Sequence, residues 1–206
     1  FVHQCPVSKK VINEAKNLKY ILSCRGGVEN IDMEAAKEKG VKVINCPAHN
    51  AYAVAEYTIG MILNELRNIT RACMALKSGE WREKYQNSET LTEVRSQTIG
   101  IIGFGTIGRL VVERLKGFHP TILVNDPFAD EDKIREEGCE PVTKEELLKR
   151  SDVVTIHARI NAGDPPIIGK EEFGQMKETA YLINTARAVA VDMKELYHAL
   201  SEHKIM

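Results

Sequence analysis

Apolar and polar positions along this chain change period again and again, from short apolar runs to three- and four-residue steps. Residues 9–17 read as a helix, with Ser8 placed to cap it. Tyr20-Ile21-Leu22-Ser23-Cys24 is a short apolar strand, and the glycine loop Arg25-Gly26-Gly27-Val28-Glu29-Asn30 follows it. Residues 32–39 read as a short helix that Asp32 caps and Gly40 closes. Val41-Lys42-Val43-Ile44-Asn45 is the next strand, and Pro47 marks a boundary. From Asn50 a single long helix is expected. Val54, Ala55, Tyr57, Thr58, Met61, Ile62, Glu65, Leu66, Ile69 and Cys73 recur at helical steps over about twenty positions, roughly 30 Å. Its charges Glu56, Glu65, Arg67 and Arg71 read as a solvated or helix-pairing face. Residues 77–95, with Trp81 and Tyr85, lack a clean period and read as an excursion carrying aromatic anchors for an interface.

From Gln97 the pattern is βαβαβαβ. A β-branched run at 98–102 breaks into glycines, and a helical pattern follows over 109–117. Thr121-Ile122-Leu123-Val124-Asn125 is a strand, residues 131–138 a polar helix, and Thr143 with Glu146 a capping box. Residues 152–157 and 179–184 read as strands separated by a short helix over 170–176, and Asp192 caps a last helix. Strands alternating with helices indicate an α/β protein with a doubly wound parallel sheet, whose ligands sit at the carboxyl ends of the strands. No internal repeat or low-complexity segment interrupts this order.

The strand-to-helix junction Gly103-Phe104-Gly105-Thr106-Ile107-Gly108 carries the chemistry. A G-x-G-x-x-G there suits a pyrophosphate. Gly103 permits the tight turn, Gly105 admits phosphate close to the backbone, and Gly108 lets the helix lie on the strand. The amides of the helix's first turn, at the positive end of its dipole, then face the anion. Asp126 ends the next strand, close to the roughly 20-residue spacing of a ribose-binding carboxylate. Such a group accepts from the ribose hydroxyls of NAD. It repels a 2′-phosphate by about 4 kcal/mol per unit charge at about 4 Å and an effective dielectric near 20. Pro127, Phe128, Ala129 and Asp130 bring no cation to reverse that preference. The competing reading of Asp126 is a solvated strand-end turn. The loop at residues 25–30 is equally compatible with a simple turn and with a site wall whose Gly26 and Gly27 amides hold a carboxylate.

Composition narrows the function classes. The chain has 206 residues, 43% hydrophobic and 28% charged, with a formal charge of −1 and no long basic run, which argues against nucleic acid and anionic membrane as partners. No apolar stretch reaches the roughly 18 residues that span a bilayer, and no signal-peptide pattern opens the chain. Five scattered cysteines (Cys5, Cys24, Cys46, Cys73, Cys139) point to a reduced cytoplasmic protein and, without histidine at ligand spacing, to no metal site. The chain opens on Phe1 and closes on Met206, and both ends read as cuts in a longer protein.

Several stretches together resemble the D-isomer-specific 2-hydroxyacid dehydrogenases. They are residues 25–32, residues 50–56, the glycine turn with Asp126, residues 152–157 and Asn184-Thr185-Ala186-Arg187, in matching order over nearly the whole chain. The resemblance implies a Rossmann NAD domain inserted into a flavodoxin-like substrate domain. Residues 1–46 would be part of the substrate domain and 47–206 the NAD domain, truncated at its C-terminal end. It implies a homodimeric NAD-dependent oxidoreductase that interconverts a D-2-hydroxy acid and its 2-oxo acid. Arg187 would hold the substrate carboxylate and polarise the oxo group, since charge develops on that oxygen as hydride arrives. Gly26 and Gly27 would bind substrate, with Gly26 near the nicotinamide. Thr106 and Ile107 would touch the pyrophosphate, Ala158 would line the adenosine side, and Thr185 and Ala186 would lie near the nicotinamide.

The chain departs from the family in three places. The catalytic histidine and its orienting glutamate would lie beyond Met206. The segment after His157 (Ala158-Arg159-Ile160-Asn161-Ala162-Gly163-Asp164-Pro165-Pro166) lacks the usual proline and threonines. Ala188 follows Arg187 where glycine is usual, a change that matters only if the backbone needs a positive φ. His49 and His157 stand near strand ends, and both read as structural rather than catalytic. Residues 1–206 alone are therefore expected to bind NAD weakly and turn over nothing. A second class shares this fold: NAD(H)-responsive binding proteins of the co-repressor kind, in which the nucleotide sets oligomeric state.

Overall fold

The computed structural model describes residues 1–80, 87–160 and 163–206. Trp81 and Tyr85, expected as interface anchors, lie outside the described residues, as do Asn161 and Ala162. The chain divides into two compact units, residues 1–51 and 52–206.

In the first unit, helix α1 (Lys9–Glu14) and strand β1 (Tyr20–Ser23) are followed by helix α2 (Met33–Glu38) and strand β2 (Lys42–Asn45). The strands pair in parallel, Tyr20 opposite Lys42 through Ser23 opposite Asn45. Ile12, Ile21, Ile31, Ala35, Ala36 and Val41 form a small core between helices and strands. Asp32 caps α2 as expected, its Oδ1 accepting from Ala35 N at 2.9 Å. Ser8 stands at the N-cap of α1 but makes no side-chain capping bond. That helix also stops short of the expected residue 17. The Lys39 ammonium donates to the carbonyls of Ile12, Asn13 and Ala15 and so satisfies the helix end from outside.

The second unit opens with α3 (Ala51–Leu66), whose first residue is the last of the first unit, and α4 (Ile69–Lys77). The single long helix expected here is two. Asn68 adopts the left-handed conformation, φ 55°. Asn64 Oδ1 then takes both Thr70 N at 3.0 Å and Thr70 Oγ1 at 2.6 Å, starting the new helix with a side-chain cap. Of the charges expected on a solvated or helix-pairing face, Glu56 and Arg67 are exposed, while Arg71 pairs the two helices, donating to Glu65 Oε2 at 2.7 Å and to Asn68 Oδ1 at 3.1 Å.

Strands β3 (Thr98–Ile102), β4 (Thr121–Asn125), β5 (Glu140–Pro141), β6 (Val153–Ile156) and β7 (Tyr181–Asn184) form one parallel sheet in the order β5-β4-β3-β6-β7. The intervening helices are α5 (Thr106–Leu115), α6 (Glu131–Glu136), α7 (Lys144–Arg150) and α8 (Lys170–Phe173), and α9 (Met193–Ser201) follows the last strand. Both faces are covered, which parallel sheets require. Ile62, Leu66, Val111 and Leu115 pack with Ile99, Ile101 and Val153 on one side. Leu147, Leu148, Phe173 and Ala199 pack with Ile102, Leu123 and Ile156 on the other. Counted within this sheet the strand order is 3-2-1-4-5, the doubly wound order whose direction reverses between β3 and β6.

Candidate functional site

In doubly wound sheets ligands sit at the carboxyl edge where the strand order reverses, here between β3 and β6. Strand register places Asn125, Ile102, Ile156 and Asn184 in one row across β4, β3, β6 and β7. The residues that leave the sheet just beyond that row are Asp126, Gly103, His157 and Thr185. Three inter-strand steps of about 4.8 Å separate the first from the last.

The glycine turn is built as its spacing predicts. Gly103 has φ +96°, and a Cβ there would stand 2.5 Å from Ala158 N. A Cβ on Gly108 would meet the Gly103 carbonyl oxygen at 2.1 Å, so only glycine lets α5 start this close to β3. Gly105 differs: a Cβ on it would meet no protein atom within 4 Å, and its φ is −75°. Packing within the protein gives no reason for glycine there, whereas a ligand seated on the turn does. Gly105 is the N-cap of α5, and no side chain caps that helix. The first-turn amides of Thr106 and Ile107 therefore face outward with the dipole behind them.

Asp126 has a task in the fold that its position in the sequence did not disclose. Its Oδ2 accepts from Phe104 N at 2.7 Å, and its Oδ1 accepts from Phe128 N at 2.9 Å. The carboxylate thus latches the glycine turn to the end of β4, with further lone pairs left on both oxygens. Beside it Phe128 is 96% exposed, an aromatic ring with no core to enter.

His157 directly follows β6 and is partly buried. Its amide donates to Ile102 O at 2.7 Å, and its Nε2 lies 3.0 Å from the hydroxyl of buried Thr155. Burial pushes its pKa down to about 4, so the ring is neutral at physiological pH. Ala158 continues past Gly103 and packs, with Ile160, against the second core.

Beyond β7 the chain turns over the sequence Asn184-Thr185-Ala186-Arg187. Asn184 staples that turn twice: its Oδ1 accepts from Ala186 N and its Nδ2 donates to Arg187 O, each at 3.0 Å. Arg187 is exposed and starts a short 3-10 turn over Ala188–Ala190. Ala188 has no positive φ, so alanine in place of glycine carries no left-handed strain. The Thr185 hydroxyl lies 2.9 Å from that of Thr58, which is fully buried in α3. Thr58 counts as one more apolar-face position in the periodicity. A threonine at a core position of a helix was the only sequence signal of its polar role.

Gly26 and Gly27 belong to the first unit. Gly26 O accepts from Asn45 Nδ2 at 2.6 Å, and Gly27 O accepts from Ser23 Oγ at 3.3 Å. The Glu29 carboxylate folds back over Gly27, 2.2 Å from where a Cβ would stand. The exposed His49 has its Nδ1 3.1 Å from Cys46 O. Among the described residues no cluster of His, Cys, Asp or Glu is arranged to hold a metal ion, and no helix is long and apolar enough to cross a membrane.

Comparison with known proteins finds relatives in sequence and in fold. Residues 59–206 match the family model described as D-isomer specific 2-hydroxyacid dehydrogenase, NAD binding domain. The chain is 41% identical over 201 residues to a D-3-phosphoglycerate dehydrogenase of Methanocaldococcus jannaschii, covering 97% of this chain and 38% of that protein. It is 36% identical over 199 residues to a hydroxypyruvate reductase of Thermotoga maritima, covering 97% of this chain and 63% of that one. Among solved structures, the D-lactate dehydrogenase of Aquifex aeolicus complexed with NAD and lactic acid superposes with a TM-score of 0.85 at 32% identity, covering 97% of this chain and 59% of that one. The chain therefore spans between about two fifths and two thirds of the length of these relatives.

Proposed function

Because the chain belongs to the D-isomer-specific 2-hydroxyacid dehydrogenase family, we propose that it serves an NAD-dependent oxidoreductase interconverting a D-2-hydroxy acid and its 2-oxo acid. The observation that carries this reading is the row at the sheet edge: Asp126, Gly103 and the turn that leads from Thr185 to Arg187, in that order across four strands. NAD, when bound, supplies the hydride acceptor or donor.

The chain's own residues divide the remaining work. Asp126 holds the adenine ribose with the acceptor capacity left after its two backbone bonds, and Phe128 offers an apolar face to the adenine. The amides of Thr106 and Ile107 hold the diphosphate where Gly105 leaves room, with Gly103 and Gly108 setting the turn. Ala158 lines the adenosine side, and Thr185 and Ala186 flank the nicotinamide. Arg187 grips the substrate carboxylate and stabilises the charge that grows on the 2-oxygen during reduction. Gly26 and Gly27 bind the substrate, and residues 1–46 are part of a flavodoxin-like substrate domain. Residues 47–206 form the NAD domain. The enzyme is a cytoplasmic homodimer.

Residues 1–206 alone bind NAD weakly and turn over nothing. In support of that reading, His157 at this sheet edge is partly buried and neutral at physiological pH, with its Nε2 held against the Thr155 hydroxyl. The test is a panel of 2-oxo acids (glyoxylate, pyruvate, hydroxypyruvate, 3-phosphohydroxypyruvate) with NADH and the natural full-length gene product. Reduction of one of them is expected, with Arg187→Ala lowering kcat/KM by at least about a hundredfold. Binding of NADH without reduction of any of them, and with Arg187→Ala silent, would return the reading to a nucleotide-responsive binding protein.

A further inference from the structure

We propose that Thr58 is a positioning residue for Arg187, acting through a directed hydrogen bond from the Thr185 hydroxyl. The direction follows from proton counting. Thr58 has one hydroxyl hydrogen, and its Oγ1 donates to Val54 O at 2.8 Å, one helical turn back in α3. In the 2.9 Å contact between the two threonines Thr58 therefore accepts and Thr185 donates. Thr58 is fully buried and Thr185 only partly, so the bond runs from the turn after β7 into the protein interior.

Two consequences follow. The turn of residues 184–187 is held from both sides. Asn184 ties it internally to Ala186 N and Arg187 O, and Thr185 ties it to the body of α3. Asn184 alone fixes the shape of the turn but leaves its tilt on the end of β7 free, and the Thr58 bond removes that freedom. The guanidinium of Arg187 is two residues from the anchored hydroxyl, and small errors in its placement are costly for an acid that must meet a hydride in line. In addition, the Thr185 proton is spent on Thr58. Thr185 therefore has no proton to donate to a carboxylate or oxo group, and within this turn recognition of the acid anion falls to Arg187.

The inference rests on the reading of Arg187 as the residue that holds the acid. The experiment separates the two. Thr58→Val, Thr185→Val, their double variant and the conservative Thr58→Ser are made in the natural full-length gene product, beside Arg187→Ala. With a 2-oxo acid that the wild type reduces, each valine variant is expected to lower kcat/KM for the acid about tenfold, the scale of one hydrogen bond. NADH affinity of Thr58→Val stays within about twofold of wild type, the double variant is no worse than either single, and Thr58→Ser recovers most of the loss. Amide hydrogen exchange at residues 185–188 rises about tenfold in Thr58→Val and not in Thr58→Ser. The proposal is overturned if exchange at 185–188 is unchanged in Thr58→Val. Equal loss of NADH and acid binding in Thr58→Val, or a lower Tm with unaltered kinetics in that variant, overturns it too. If the wild type reduces no 2-oxo acid and Arg187→Ala changes nothing, the enzymatic reading fails by itself. The exchange data still decide whether Thr58 fixes the turn.

Discussion

Asp126 is bonded to two backbone amides and is also the residue proposed to select NAD, so its replacement separates two effects. Asp126→Ala removes the acceptor for Phe104 N and for Phe128 N. Phe104 is 2% exposed, so its amide is left without water to replace the carboxylate, at about 1–3 kcal/mol. Phe128 is exposed, and its amide recovers most of its loss from solvent. Loss of the charge adds to both, giving about 2–4 kcal/mol in all. Asp126→Asn behaves differently. Its single carbonyl oxygen is best spent on Phe104 N, and its amide group then turns toward Phe128 N, a donor against a donor at an exposed position. The cost falls to about 1 kcal/mol. In urea, with a slope of about 2 kcal/mol per M, the unfolding midpoint drops by about 1–2 M for alanine and about 0.5 M for asparagine, read by far-UV circular dichroism. Cofactor choice does not follow that ranking, because both variants remove the same negative charge. The ratio of NADH to NADPH affinity should shift toward NADPH by a similar factor in each. Equal midpoints for the two variants would refute the latch. An unchanged affinity ratio in both would refute the electrostatic account of selectivity.

Four further outcomes follow from the geometry. Gly108→Ala drives a Cβ to 2.1 Å from the Gly103 carbonyl oxygen and should destabilise by about 3 kcal/mol or more. Gly105→Ala meets no protein atom within 4 Å, so it should unfold within about 0.5 kcal/mol of wild type while weakening NADH at least about tenfold in a fluorescence titration. Retained NADH affinity in Gly105→Ala would count against a ligand seated on the turn. His157, with its folded pKa lowered to about 4 from 6.5, contributes stability that is complete above pH 6.5 and fades as pH falls toward 4. The loss reaches about 3 kcal/mol at about 1.4 kcal/mol per pH unit. His157→Gln should flatten the stability profile between pH 6.5 and 4.5, and parallel profiles would show that the ring is not buried in its neutral form. Arg187→Lys keeps the charge and loses the planar fork, so steady-state kinetics should show a raised KM for the acid and lower kcat. Full activity in that variant would dismiss bidentate recognition.

The sequence by itself determined the alternation of strand and helix, the glycine turn and the carboxylate at the end of the next strand. Each of these is local: a period, a φ that only glycine adopts readily, a spacing along one βαβ unit. Gly103 and Gly108 do in three dimensions what their spacing requires. Asp32, Thr143 and Asp192 cap the helices that follow them for the same reason. What depended on partners far along the chain was decided only by the tertiary structure. The long helix divides at Asn68 because Asn64 and Thr70 bond across the break, an option that an apolar stripe of uniform period does not reveal. The first helix stops early because Lys39, more than twenty residues away, satisfies its carbonyls. Asp126 gains its hold on Phe104, and Thr58 its bond to Thr185, across separations of 22 and 127 residues. Periodicity assigns a position to a face, whereas a hydrogen bond needs a distance and a direction, and those exist only once the sheet has brought the strand ends into one row.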